Sequence, residues 1–226
     1  MFDVTVGETK DFEQLPEDTW IPSRIMSRNV IRYDGTSYKP STDEILKKAF
    51  NALKAARDRQ DSAAEEIANA ELKRFQFQFV YKPLTDKKFA AYRVRGNTGL
   101  WMNFTRDGEP NKLAQVYTTA GGKKPEKGQN VDIDTIIGNY VAIQVSSEKN
   151  KKNNKVYQKV SDIRPLGDDE LGKAKVIEVE LKKIEEAVKA AEEKARTDAE
   201  PPATDTVIET QRPILESKGK DQEVPF

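Results

Sequence analysis

The sequence predicts a mainly β fold with added helices: a five-stranded barrel with a helical insert, then a charged helix and a disordered acidic tail. Three observations carry this reading. Apolar and polar residues alternate through "FQFQFVYKPL" (75–84), "NYVAIQV" (139–145) and "KVYQKV" (155–160), the period of half-buried strands. Two stretches between 41 and 73 carry the 3.6-residue period of helices. From Thr197 onward the chain is too rich in Pro, Thr and acids to bury a core.

In chain order, residues 1–19 form an acidic arm, and "WIPSRIMSRNVIRYDGTSY" is extended with a turn at Asp34-Gly35. Ser41-x-x-Glu44 and Ser62-x-x-Glu65 have the spacing of capping boxes, in which hydroxyl and carboxylate satisfy each other's free amides. A helical hairpin or one interrupted helix is expected over 42–73, with Ile45, Leu46, Ala49, Phe50, Leu53 and Ala56 on one face. Beyond Phe75, "KFAAYRVRGNTGLWMNF" suggests one bent strand or two around Gly96-Asn97-Thr98-Gly99. Pro110 suits the first position of a short helix, and Gly121 suits its C-terminal cap. Two final strands flank the polar loop "SSEKNKKNN".

With the insert set aside, the order is strand, strand, strand, short helix, strand, strand. That is the order of an OB-type barrel, giving an OB-like domain over 20–165. Residues 168–196 are helical, with Ile177, Leu181, Ile184, Val188, Ala191 and Ala195 as a seam. That seam suits either docking on the body or self-association into a homo-oligomer. Residues 197–226 form the acidic tail.

Composition narrows the function. The 226 residues include no Cys and no His, which removes thiolate and imidazole metal sites and every triad that uses His as its base. A non-catalytic protein without cofactor is expected. No stretch reaches the roughly 18 apolar residues of a membrane span, and the acidic start is unlike a secretory signal. A cytoplasmic location without membrane contact follows as the expectation.

Charge is zero overall but unevenly spread. Residues 20–165 hold 27 Lys and Arg against 16 Asp and Glu, while residues 166–226 hold 10 against 16. A basic body followed by an acidic tail points to a polyanion-binding surface and something that modulates it.

Alternation shows which side chains face away from the core. Arg93, Arg95, Trp101, Tyr140, Gln144, Tyr157 and Lys159 are expected outward, and Lys149, Lys151, Lys152 and Lys155 occupy the last hairpin and its loop. Flat rings mixed with cations suit single-stranded nucleic acid, whose bases stack on aromatics while its phosphates meet Lys and Arg. The competing reading has Trp101 and the tyrosines filling core or covering the inserted helices, with the lysines only solvating a loop. "GGKKPEKG" lacks the spacing of a phosphate-binding loop. Asp132 and Asp134 in "VDIDT" form a pair able to ligate Mg²⁺ in a nuclease, but a turn or helix cap accounts for them more simply.

Two stretches carry a resemblance. "IGNYVAIQV" and "KVYQKVSDIRPL", following a short helix and a basic region, resemble the last two barrel strands of bacteriophage single-stranded DNA-binding proteins. The resemblance spans about 20–165, and the helical insert departs from it. The ending "DQEVPF" is similar to the acidic Pro-Phe tip of bacterial single-stranded DNA-binding proteins. It implies a partner-binding role for Asp221, Glu223, Val224, Pro225 and Phe226, with fewer acids than the family usually has. Together these imply a sequence-tolerant binder of single-stranded DNA in the host cytoplasm, whose tip recruits replication or recombination proteins. The alternative from another class is an interaction or assembly factor.

Overall fold

The computed structural model describes residues 14–126, 129–149 and 156–199, with side chains as far as 194. The chain divides into two compact units, 1–188 and 189–226. In the second, only the helical backbone of 189–199 and a few of its side chains are described, so the architecture below is that of the first. The tail and its tip, and the loop residues Lys151, Lys152 and Lys155, lie outside the described residues.

Six strands form one mixed sheet that closes on itself. They are β1 (Ile21–Tyr33), β2 (Tyr38–Ser41), β3 (Phe75–Pro83), β4 (Val94–Thr98), β5 (Tyr140–Lys149) and β6 (Val156–Arg164). The order is β2-β1-β3-β4-β6-β5, and β5 also pairs with β1, so five of the strands make a ring with β2 attached as a hairpin arm. Every pairing is antiparallel except β4 with β6, which is parallel. β1 pairs with β5 through Ile21–Arg24 and with β3 on both sides of a bulge between Ile25 and Ser27.

Alternation fills the ring. Phe75, Phe77, Phe79 and Tyr81 of β3 are buried, as are Val94 of β4, Val141, Ile143 and Val145 of β5, and Val160 and Ile163 of β6. Each buried phenylalanine contributes roughly 1.5–3 kcal/mol relative to exposure. Gly96 stands on the inner side of β4 in a tight place: a Cβ there would lie 3.1 Å from Val160 Cβ and 3.2 Å from the Tyr81 ring, so those neighbours would have to give way. Leu15, from the acidic arm, is also a core residue at 1% exposure.

Four helices complete the fold: α1 (Asp43–Asp58), α2 (Ser62–Leu72), α3 (Lys112–Thr119) and α4 (Asp168–Ala199). The insert is a hairpin of two helices, but its caps differ from the expected serines. Thr42 accepts from the Ile45 amide and Asp61 from the Ala64 amide, each one residue from the predicted cap and equally able to accept. Leu46, Leu53, Ala68 and Leu72 join the ring's core, whereas Ile45 and Phe50, expected on the same face, stay partly exposed. Helix α3 starts later than expected: Asn111 caps it and Lys112, not Pro110, holds its first position, while Gly121 follows the helix at φ +91, as a C-terminal cap requires.

The segment after β4 is neither a second strand nor a continuation of the first. Residues 99–104 run as a loop closed by one bridge between Phe104 and Pro110. Helix α4 runs three residues past the predicted 196. In the first unit its Ala174, Ile177 and Leu181 dock on the body, meeting Leu84 and Ala90 in a second apolar cluster. Val188 of the predicted seam is exposed. Among the described residues, no helix is long and apolar enough to cross a membrane.

Candidate nucleic-acid interface

The outer face of β3, β4 and β6 carries an open groove of about 870 Å³. It exists because the inward set on these strands is apolar and the alternate residues are not. Arg95 and Asn97 project from β4, Gln78 from β3, and Tyr157 and Lys159 from β6. Arg95 and Lys159 are register partners in the parallel pairing, which sets two cations side by side. Tyr157 is 49% exposed, enough ring surface to receive a flat partner. Gln78 Nε2 donates to Asn97 Oδ1 at 3.1 Å, tying β3 to β4 across the groove.

Two further residues extend the groove. Arg93 precedes β4 instead of lying on it, and its guanidinium donates to the Ala90 and Tyr92 carbonyls and, at 3.3 Å, to Glu185 of α4. Lys112, at the start of α3, donates from Nζ to the Val160 carbonyl at 3.1 Å. Burial first, and then Lys159 nearby, lower its pKa, so the folded protein holds these lysines in each other's field. Among the described residues the one acid lining the groove is Glu148, which accepts from Lys159 at 2.5 Å and is held below the usual carboxylate range by it. Among the described residues Arg95 has no carboxylate partner. An anion entering here would relieve like-charge repulsion as well as gain direct contacts.

Sequence reasoning missed Lys112, although a signal was present. The first turn of α3 has no acid and opens with a lysine, against the preference of a helix N-terminus for negative charge.

The other predicted residues are dispersed. Lys149 is exposed at the end of β5, opposite Val156, near the groove's hairpin. Val156 shares the phase of the buried Val160 in "KVYQKV" but is itself 45% exposed, because the hairpin has left the core by that point. Gln144 is half-buried at the bulge where β5 and β6 change register, and it is not part of the groove. Tyr140, predicted on the outward face, is covered there by α4: its hydroxyl donates to Glu178, which also accepts from Arg24. Burial pushes Glu178 up, but those two hydrogen bonds outweigh it and leave the carboxyl below its ordinary pKa.

Trp101 lies in the loop after β4, 42% exposed and edge-on to Phe50 of α1 at 6.0 Å. It belongs to a second, largely apolar cleft of about 820 Å³ with Phe77, Met102, Phe104 and Ile133, and does not line the basic groove. The expected alternation of "LWMNF" fails because the segment is not a strand.

Asp132 and Asp134 do not form an open metal site. Asp132 caps the 3₁₀ turn Ile133–Ile136 by accepting from the Asp134 amide. The Asp134 carboxylate takes two hydrogen bonds from Arg28, whose other face holds Asp43 at the start of α1. Arg28 keeps Asp134 well below the usual carboxylate range, and its own pKa is raised by the same bond. Among the described residues no cluster of three metal-ligating side chains is present. Comparison with protein-family models, curated proteins and solved structures finds no match.

Proposed function

We propose that the chain is a non-catalytic, sequence-tolerant single-stranded DNA-binding protein built on an OB-type ring. The observation that carries this reading is the groove lined together by Arg95, Lys112, Lys159 and the exposed ring of Tyr157. Cations lining a groove track phosphates, and an exposed ring stacks bases regardless of sequence.

Topology supports the OB reading. Omitting β2, the ring runs first-second-third-fifth-fourth and returns to the first, with the third and fifth strands parallel and α3 between the third and fourth. In such barrels the second and third strands and the last hairpin loop face the ligand. Here those are β3, β4 and the β5–β6 loop with its lysines, and the helical insert occupies the loop between the first and second strands. The likeness of the last two strands to phage single-stranded DNA-binding proteins makes replication or recombination the setting we propose. Partner recruitment by the 221–226 segment belongs to the same proposal.

The test is an anisotropy titration of labelled oligo-dT over a salt series. Saturation at a site size of several nucleotides is expected, with a log-log salt slope near −3 to −4 for about 4 to 6 neutralised phosphates. No binding, or a slope close to zero, overturns the reading. The apolar cleft around Trp101 favours a second reading, an assembly factor, which silence in this titration would promote.

A further inference from the structure

The groove holds more positive charge than its own carboxylates neutralise, and the acidic N-terminal segment is fastened at its rim. Leu15 is buried in the core while its backbone is gripped by one side chain of β6. The Leu15 amide donates to Gln158 Oε1 at 2.9 Å, and Gln158 Nε2 donates to the Leu15 carbonyl at 2.8 Å. Gln158 thus imitates a neighbouring strand for a single residue. The same Oε1 accepts the Tyr92 hydroxyl at 3.0 Å, and both Gln158 and Tyr92 line the groove. Ser147, the register partner of Gln158, places its Oγ 3.4 Å from Gln14 Oε1. The chain before Gln14 therefore starts from the edge of the basic surface.

That preceding segment, "MFDVTVGETKDFE", carries Asp3, Glu8, Asp11 and Glu13 against a single Lys10. We propose that residues 1–13 are an acidic-peptide ligand of the chain's own groove, meeting Arg95, Lys112 and Lys159 when nucleic acid is absent and displaced when it arrives. The inference rests on the groove being the polyanion site argued above. Reach is ample, since thirteen residues span up to about 45 Å when extended. Tethering at Leu15 supplies an effective concentration on the order of millimolar, so weak individual ion pairs suffice. The arm would also set a threshold, because single-stranded DNA must outcompete it whereas scattered small anions would not.

Two experiments on the full chain test this. First, the variant D3N/E8Q/D11N/E13Q, which keeps the arm's length and its Leu15 anchor, is compared with the parent for oligo-dT binding. About tenfold tighter binding at low salt is expected, with the gap closing at high salt. Equal or weaker binding overturns the proposal. A chain starting at Gln14 should reproduce the gain, with its melting temperature showing that the ring is intact.

Second, zero-length carbodiimide cross-linking without DNA should join arm carboxylates to Lys112 or Lys159, and oligo-dT should suppress the products. A mixture of ¹⁵N-labelled and unlabelled chains should give products with one label each. Absence of those cross-links overturns the proposal, and mixed-label products would place the arm in a second copy and overturn the intrachain assignment. Cross-links in a protein that ignores oligo-dT would sink the nucleic-acid reading while leaving the arm's contact established.

Discussion

Arg95 of β4 and Lys159 of β6 face each other across the parallel rung of the ring, two like charges with Glu148 bonded to only one of them. Such an arrangement costs folding energy in the empty protein, and a phosphate between the two would turn that cost into binding. Arg95→Ala and Lys159→Ala should each weaken oligo-dT binding at low salt and make the log-log salt slope shallower by about 0.7. A salt series on the two single variants and the double variant measures this, and unchanged slopes would remove the groove from the binding surface.

Stacking separates the two aromatic sites. Tyr157→Ala should cost about 1–3 kcal/mol of oligo-dT affinity, with Tyr157→Phe recovering most of it. Trp101→Ala, in the other cleft, should leave affinity for short oligomers unchanged. The reverse ranking in parallel titrations would move the site to the Trp101 cleft.

Acid should loosen α4. Burial pushes Glu185 up, but Lys82 and Arg93 outweigh it and hold its pKa down, as Arg24 and Tyr140 do for Glu178. A carboxyl whose folded pKa is depressed stabilises the fold above its ordinary value and loses that contribution as pH falls through the folded value. Hydrogen exchange of α4 amides should therefore accelerate below about pH 4. Glu170, pushed down to about 2 by its bond from Arg164, keeps the first turn pinned to lower pH. Glu178→Gln combined with Glu185→Gln should abolish most of the pH dependence. Persistence of the same acid transition in that variant would assign it to other groups.

Packing at Gly96 makes a stability prediction. Gly96→Ala drives a methyl against Val160 and Tyr81 and should cost roughly 1–3 kcal/mol, read as a lower urea midpoint at constant m. An unchanged midpoint would mean that β4 shifts outward without penalty.

What the sequence discloses follows from what alternation can report. Period two separates the inner from the outer face, so Arg95, Tyr157 and Lys159 were legible. It says nothing of what covers an outer face, so Tyr140 was misplaced: its cover, Glu178, comes 38 residues later in α4. Trp101 was misplaced because a glycine-flanked apolar run looks like a strand until the chain has room to leave the sheet. Lys112 reaches the groove from a helix 48 residues before Val160, a juxtaposition made by ring closure alone. The fold order was legible because strands and helices differ in period, whereas the caps shifted by one residue because Thr42 and Asp61 accept hydrogen bonds as well as serine does.

The pairing of β1 with β5 has a consequence for biosynthesis. Ile21 meets Ile143 and Arg24 meets Tyr140, so the first strand lacks one of its three partner strands until the ribosome has made more than a hundred further residues. At ordinary elongation rates that interval is on the order of 5–20 s, during which Ile21 and Ile25 must be shielded by the nascent β3 or by a chaperone. A nascent chain stalled before Tyr140 should accordingly be a far better chaperone client than one stalled after Arg164.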